Sequence, residues 1–381
     1  MSYAIQEIFQ SFYEDFAAMN SVSYEASKVA NSISNCRTSA LGGNACVCEE
    51  CGYIQVRYNS CGSRSCPCCQ TIPKEKWIDK RKSEVVDAPY FHVVFTVPEE
   101  LNPLIYSNKK LLYNLLYQSS AATLKELASD SKYLGARIGF LSVLHTWGQN
   151  LSYHPHVHAV VLGGGLTTDL QFKQCEKSFL FPVRVVSKLF RGKFMEELKL
   201  LYQNKKLSFS ENHAKYHNSY EFQELVNLLY SKEWIPHLKE TFYGADKVIE
   251  YLGRYTHRIA ISNSRILTID SKGITFRLKD YRTGEHTTMT LEPKEFIRRF
   301  LMHVLPCGFV KIRYYGLLAN RHKRKQLAIC RNLLKGLYQK PRLEGKSCVE
   351  ILFELFGVNV NLCPYCNIQS MKPYLTYHRR Q

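Results

Sequence analysis

Eight cysteines crowded into a short stretch constrain the fold of this 381-residue chain more than any other feature. They lie between Cys36 and Cys69, in a stretch with little apolar periodicity. Within it, Cys48-x-x-Cys51 and Cys66-x-x-Cys69 have the spacing of a four-thiolate zinc site, because each pair sits in a tight turn that can aim both sulfurs at one ion. The stretch is therefore predicted to be a small module organised by metal.

The two pairs predict one structural zinc ion with these ligands: Cys48, Cys51, Cys66 and Cys69. Four protein ligands leave no coordination position for a substrate water, so this ion has no catalytic role. The other four cysteines of the module predict a second, interleaved zinc ion: Cys36, Cys46, Cys61 and Cys68. One or two of these thiols can instead be merely packed in the module, so the sequence leaves one or two zinc ions open.

A further pair, Cys363-Pro-Tyr-Cys366, forms half of a similar site near the C-terminus. Two thiols without a second pair beside them are weak evidence for a metal ion, because a tetrahedral site needs two more ligands. Cys330, Cys348 or a histidine are the candidates to complete it.

Basic residues outnumber acidic ones, 51 to 33, which gives the chain a net charge of +18 and a pI near 9.2. This balance favours a polyanionic partner, nucleic acid first, although ribosomal association or an acidic membrane surface would produce it too. No apolar run approaches the ~18 residues that span a bilayer, and no signal peptide is visible. We expect a protein of the reducing cytoplasm, with no membrane partner, whose clustered cysteines bind metal rather than form disulfides.

Two histidines with one residue between them, His156-Val-His158, begin an apolar run. Side chains alternate between the faces of a strand, so both imidazoles project from one face about 7 Å apart and can share one ion. A lone strand histidine is more often a hydrogen-bonded core residue, but two at this spacing favour a metal. Imidazoles with open coordination positions suit Mg²⁺ or Mn²⁺ acting on a phosphate, and zinc is geometrically reasonable as well.

A third ligand should come from the neighbouring strand. We expect a hairpin that turns around residues 150–153 and sets His145 opposite His158. Side-chain parity then places both His145 and Gln149 on the ligand face, so His145 is the candidate and Gln149 its competitor. His92, on an earlier strand, is a more distant possibility.

Tyr251 and Tyr255 are one helical turn apart in a segment, 247–255, that favours a helix, so they share one helix face. With 25 tyrosines in the chain, such a pair is more often core packing. A metal that polarises a phosphate needs a nucleophile, however, and Arg254 and His257 flank the pair. We therefore predict that both tyrosines are catalytic and that each can bond to a phosphate, which conserves the energy of the broken phosphodiester.

The periodicity along the chain predicts an α+β fold, because antiparallel hairpins are mixed with helices. Strands are predicted at 90–98, 138–147, 156–162, 258–262, 266–270 and 274–278. Helices are predicted at 1–35, 74–83, 102–130, 187–202, 247–255, 293–304 and 319–334.

His156-Val-His158 together with Tyr251-x-x-x-Tyr255 resembles the HUH superfamily of single-strand endonucleases. Longer strings are similar to the rolling-circle insertion-sequence transposases of family ninety-one, among them Cys66-Pro-Cys-Cys-Gln70, His154-Pro-His-Val-His158 and Tyr251-Leu-Gly-Arg-Tyr-Thr-His-Arg258. The chain departs from the family's zinc module at Asn44 and Ser65, where we expect histidines, while nearby Cys46 and Cys68 are extra.

The resemblance implies an HUH nuclease core, an antiparallel sheet flanked by helices, behind an N-terminal helical and zinc-binding module. We therefore divide the chain into a DNA-binding zinc domain (1–85), a nuclease domain (86–320) with a helical insertion near 180–240, and a basic region (321–381) with the zinc half-site. The resemblance also implies that one tyrosine nicks single-stranded DNA at a transposon end and becomes joined to the 5′ phosphate, while the other serves the second cleavage. Target DNA and host replication or helicase factors are the other partners.

Two other functions stay open. A replication initiator or a relaxase would share the nicking chemistry but serve a different element. A non-catalytic zinc-dependent DNA-binding protein would use the same histidines and tyrosines structurally. The sequence leaves open which tyrosine acts first, which DNA sequences are recognised and which oligomer is active.

Overall fold

Helices and antiparallel strands alternate along the chain, which confirms the predicted α+β class. The structure is a computed structural model that describes residues 4–175, 180–240, 246–247, 249–250, 253, 260–270, 272–279 and 284–377. Its helices are α1 (Ala4–Met19), α2 (Tyr24–Ser34), α3 (Thr71–Lys82), α4 (Asn102–Ser107), α5 (Lys109–Ser129), α6 (Val183–Gln203), α7 (Ser219–Ser231), α8 (Pro293–Met302), α9 (Lys323–Leu333) and α10 (Cys348–Phe356). Its strands are β1 (Gly43–Cys48), β2 (Ile54–Tyr58), β3 (Tyr90–Thr96), β4 (Arg137–Trp147), β5 (Tyr153–Leu166), β6 (Phe172–Gln174), β7 (His237–Glu240), β8 (Ile266–Asp270), β9 (Gly273–Lys279), β10 (His286–Leu291), β11 (Ile312–Gly316) and β12 (Met371–Tyr377). Among these helices, none has the length and apolar character that a membrane crossing needs.

Most predicted elements are present, with shifts at their ends. The predicted strand 90–98 is β3, which stops before Pro98, a residue without an N–H group for the ladder. The predicted strand 156–162 is the centre of the longer β5. The prediction of a strand at 258–262 was wrong for residues 260–262, which are not in a strand, and residues 258–259 lie outside the described ranges.

The centre of the protein is a six-stranded antiparallel sheet. Its strands lie in the order β11-β4-β5-β3-β7, and β6 pairs with the end of β5. The two longest strands, β4 and β5, are buried along almost their whole length because both faces of the sheet are covered. Their pairing therefore forms the least solvent-accessible part of the sheet.

The alternation of side chains along β4 and β5 assigns each residue to one of two apolar layers. On one face Phe140 and Val161 pack in the cluster that also contains α5 and α6. On the opposite face Val143 and Val160 belong to a cluster that includes Ile78 of α3 and Leu327 of α9. The three histidines at 145, 156 and 158 lie on this second face, because each is an even number of residues from Val143 or Val160 on its strand.

The N-terminal helices pack against a second sheet from much later in the chain. This sheet has the order β10-β9-β8, and α8 lies beside it. The ring of Phe9 in α1 contacts the ring of Phe300 in α8 edge to face, with 5.2 Å between centroids. The apolar face of α1, within the predicted helical stretch 1–35, is thus buried against elements that lie far away in sequence.

A third, small sheet joins the two ends of the described chain. Its order is β12-β1-β2, with Gly43 opposite both Tyr58 and Tyr377. The strand near the C-terminus therefore lies beside the cysteine-rich module, although more than 300 residues separate the two in sequence. The division of the chain at residues 85 and 320 stays a prediction.

Gly316, at the end of β11, offers a test of this packing. Its φ is +57°, and a Cβ atom there would lie 1.9 Å from the carbonyl oxygen of Ile138 in β4. We expect Gly316→Ala to lower the apparent melting temperature by several degrees, because it combines left-handed strain of about 1 kcal/mol with a backbone clash. Gly308→Ala is the matched control, since its φ is +69° but its Cβ would meet nothing within 4 Å. Equal melting temperatures for the two variants would contradict the assigned position of β11.

Candidate metal centres

Three imidazoles meet on one face of the β4–β5 hairpin. His145 lies directly opposite His156, and Val143 lies opposite His158. One ring nitrogen from each of the three histidines lies within 4.8 Å of the others. The expected register, with His145 opposite His158, was wrong by two residues, and a two-residue shift keeps every side chain on its face. His145 therefore still joins the pair, and Gln149 lies in the turn after β4.

Hydrogen bonds orient two of these rings for metal binding. His156 Nδ1 lies 2.7 Å from the carbonyl oxygen of His154, which can only accept, so Nδ1 carries the proton and Nε2 keeps its lone pair. His158 Nδ1 lies 2.8 Å from His92 Nε2. His92, which the sequence offered as a distant ligand, thus contacts a ligand candidate through its ring. A partner on the far nitrogen of a ligating histidine fixes the ring's orientation.

Burial holds these imidazoles in the neutral form that binds metal. It lowers the pKa of His156 to about 4 and that of His92 to about 4. Burial also lowers the pKa values of His145 and His158 well below the ordinary value, and the neighbouring imidazoles lower them further. A neutral imidazole has the lone pair that a metal ion needs, so no proton has to leave the site at neutral pH.

Two basic residues that the sequence did not assign to the site lie beside it, next to Trp147. Lys311, just before β11, lies with its Nζ 4.7 Å from the centre of the Trp147 ring, and burial lowers the pKa of its ammonium to about 7. His303 is buried beside Trp147, and its Nε2 donates to the carbonyl of Leu151 at 3.2 Å. Neither residue belongs to a motif, and only the approach of α8 and β11 to the hairpin brings them here.

Tyr251 and Tyr255, the predicted nucleophiles, lie outside the described residues. Two described residues near them in sequence lie close to the histidine-bearing face of the central sheet. Ile249 is buried in the same apolar cluster as Val143 and Val160, on the histidine-bearing face. A Cβ atom on Gly253 would lie 2.4 Å from the side chain of Ile78, which belongs to that cluster as well.

The cysteines form two clusters, and neither is the predicted one. The first consists of Cys36, Cys61, Cys66 and Cys69. Within it, the Sγ of Cys69 lies 3.4 Å from that of Cys36 and 3.6 Å from that of Cys61. The prediction that the pair at 66 and 69 shares an ion with the pair at 48 and 51 was wrong, because the β1–β2 hairpin separates them by its length, about 17 Å at ~3.3 Å per residue.

The second cluster completes the C-terminal half-site. It consists of Cys48, Cys51, Cys363 and Cys366. The candidates Cys330 and Cys348 do not belong to it. Cys46 and Cys68, predicted as ligands of an interleaved ion, belong to neither cluster in the described chain, and Cys68 Sγ instead accepts a hydrogen bond from Asn263.

The buried His303 predicts a specific pH dependence of stability. Burial lowers its pKa to about 3 in the folded protein, whereas an imidazole in the unfolded chain binds a proton near pH 6.5. The unfolded state thus binds more protons, and the free energy of unfolding falls as the pH decreases from 6.5 toward 3, by up to about 1.4 kcal/mol per pH unit for this group. We expect a shallower fall for His303→Gln in urea unfolding at pH 7, 6 and 5. His322→Gln, which changes an exposed histidine, should follow the wild type, and a parallel slope for His303→Gln would contradict the assignment.

Comparison with known proteins identifies the family. Residues 139–326 match a family model described as "Putative transposase", and residues 8–97 match one described as "Transposase zinc-binding domain". The chain is 43% identical over 372 residues to "Putative transposase y4qJ" of Sinorhizobium fredii, covering 96% of this chain and 94% of that protein. It is 30% identical over 309 residues to the "Transposase for insertion sequence element IS801" of Pseudomonas savastanoi pv. phaseolicola, covering 80% of this chain and 71% of that protein.

The matched regions contain the clusters described above. The three imidazoles of the hairpin fall within residues 139–326, and the whole first cysteine cluster falls within residues 8–97. The thiolate clusters and the matched domain together support structural zinc. On this similarity and this domain content, the chain belongs to the insertion-sequence transposases of family ninety-one and carries an N-terminal transposase zinc-binding domain.

Proposed function

We propose that this transposase cuts and rejoins single-stranded DNA at the ends of its insertion sequence through covalent bonds to Tyr251 and Tyr255. The observation that carries the proposal is the group of three neutral imidazoles on one face of the β4–β5 hairpin. DNA is the substrate expected of a transposase, and the net charge of +18 suits a polyanion.

The donor set fits a divalent ion. His145, His156 and His158 would hold it, because their nitrogens converge and burial keeps them unprotonated. Three protein ligands leave coordination positions open, in contrast to the two four-thiolate clusters. Mg²⁺ or Mn²⁺ bound there would act as a Lewis acid on a phosphate oxygen of the scissile bond.

The chain's own residues supply the nucleophile and the surrounding charge. The phenol oxygen of one tyrosine attacks the phosphorus and its proton passes to solvent, while the bond to the 3′ oxygen breaks and that oxygen takes up a proton from solvent. The products are a 5′-phosphotyrosine bond and a free 3′ hydroxyl, so a later attack by a 3′ hydroxyl can rejoin the strand without ATP. Lys311 adds a cation beside Trp147, and a pKa of about 7 lets it exchange a proton near neutral pH.

Two described residues that flank Tyr251 in sequence support a role for the tyrosines. Ile249 and Gly253 lie on the same face of the central sheet as the imidazoles. Tyr251 lies between them in sequence, and Tyr255 follows two residues after Gly253. Two nucleophiles suit a reaction with two cleavages, one at each end of the element or one at an end and one in target DNA.

A replication initiator or a relaxase would carry out the same cleavage, and host replication or helicase factors could assist any of these enzymes. Family membership favours the transposase. Excision or insertion of a DNA flanked by the element's ends separates it from the other two, whereas nicking alone does not. A non-catalytic zinc-dependent DNA-binding protein would bind such DNA without forming a covalent product.

The tyrosines are tested by the covalent product. Purified protein is incubated with single-stranded oligonucleotides from the element's ends and Mn²⁺, and adducts are separated on denaturing gels. We expect Tyr251→Phe and Tyr255→Phe each to retain some adduct and the double variant to form none. Tyr220→Phe, which changes an exposed tyrosine of α7, should match the wild type. Adduct formation by the double variant would exclude both residues as the nucleophiles.

The imidazoles are tested by metal dependence. His145→Gln removes one of the three nitrogens and should reduce the adduct rate about 100-fold or more, because a metal ion on a phosphoryl oxygen is worth several kcal/mol. Higher Mn²⁺ concentrations should partly restore the rate. His322→Gln is the control, and the zinc content of the cysteine clusters should be unchanged in both variants. A wild-type rate for His145→Gln would remove it from the proposed ligand set.

A further inference from the structure

We propose that Cys48, Cys51, Cys363 and Cys366 bind a structural zinc ion that ties the C-terminal segment to the N-terminal zinc-binding module. This inference does not depend on the proposed cleavage chemistry. The match to the zinc-binding domain ends at residue 97 and therefore includes only half of this cluster. The other half is separated from it by more than 300 residues of chain.

The spacing of the sulfurs is that of tetrahedral zinc. The Sγ atoms of Cys48 and Cys366 are 3.6 Å apart, and those of Cys51 and Cys363 are 3.7 Å apart. Ligands at ~2.3 Å from a central zinc ion are separated by about 3.8 Å along each edge of the tetrahedron. Disulfide-bonded sulfurs would be about 2.05 Å apart. The four thiols are therefore placed for one ion and not for cross-linking.

Both cysteine pairs sit in turns with the same backbone hydrogen bonds. In the first turn, the N–H of Gly52 donates to the carbonyl of Cys48, and the N–H of Cys48 donates to the carbonyl of Tyr53. In the second, the N–H groups at the equivalent positions, 367 and 363, donate to the carbonyls at 363 and 368. The residue after each pair has positive φ, +70° at Gly52 and +57° at Asn367. The two turns therefore have the same geometry, and together they bring four thiols within 4.8 Å of one another.

Polar groups around the cluster suit thiolates. The hydroxyl of Ser370 lies 2.9 Å from Cys48 Sγ and can donate to it. The N–H of Tyr365 donates to Cys363 Sγ at 3.4 Å. The rings of Tyr53 and Tyr365, one beside each turn, stack with 6.1 Å between centroids and 6° between planes. Donors to the sulfurs stabilise the charged ligands and hold them in place.

The sheet that carries this cluster has little apolar packing of its own. Of the residues of β12, only Met371 is buried, and the local apolar cluster has few other buried members: Cys46, Cys48 and Cys363. A small sheet without a hydrophobic face is marginal in water, and structural zinc supplies the folding free energy that such modules lack. The ion would hold β12 against β1.

Cysteine reactivity in the full-length, zinc-loaded protein tests the site without any substitution. Cys51, Cys307 and Cys348 are all exposed, but only Cys51 belongs to the cluster. We expect Cys51 to react with iodoacetamide roughly tenfold more slowly than the other two, because a zinc-bound thiolate is a poor nucleophile. Mass spectrometry maps the modified residues, and removing zinc with a chelator should equalise the rates. Equal rates before chelation would overturn the proposal.

Zinc content gives a second measurement. Full-length Cys363→Ser/Cys366→Ser should contain one zinc ion fewer than the wild type by elemental analysis, and adding Cys51→Ser should remove no more. Cys348→Ser, an exposed cysteine outside the cluster, is the control and should keep the wild-type content. Wild-type zinc content in the double variant would overturn the proposal. If the double variant does not fold, the reactivity of Cys51 in the wild type decides.

Discussion

The antiparallel pairing of β4 with β5 is the interaction on which the rest of the structure depends. It places His145 opposite His156, and the same alternation divides the neighbouring residues between two buried apolar layers. A shift of one residue would move every histidine to the wrong face. The apolar residues that anchor the sheet therefore also specify the geometry of the candidate metal site.

Burial of this pairing determines the chemistry that the site can support. It keeps the imidazoles neutral and so available as ligands, and it leaves His303 and Lys311 with depressed pKa values nearby. The cost is a dependence on pH, because each buried imidazole that would accept a proton in the unfolded chain favours unfolding under acidic conditions. Ligand availability and acid sensitivity have the same physical origin.

The second cysteine cluster brings together segments from near the two ends of the chain. The first cluster lies within the N-terminal module, whereas Cys48 and Cys51 face Cys363 and Cys366 from the far end of the chain. The cysteine-rich module is thus incomplete without the C-terminal strand. Among the described residues, β1 pairs with β2 on one side and with β12 on the other. The small sheet thus joins strands from near both ends of the chain.

Local patterns in the sequence determined the α+β class, the strand with His156 and His158, the face that these share with His145, and the family. These follow from side-chain alternation and from motif spacing, which are properties of neighbouring residues. Only the tertiary structure decided which cysteines group together, the hairpin register, and the approach of Lys311 and His303. Each of these depends on contacts between residues far apart in sequence, and spacing within a motif cannot show that the β1–β2 hairpin separates Cys48 from Cys66.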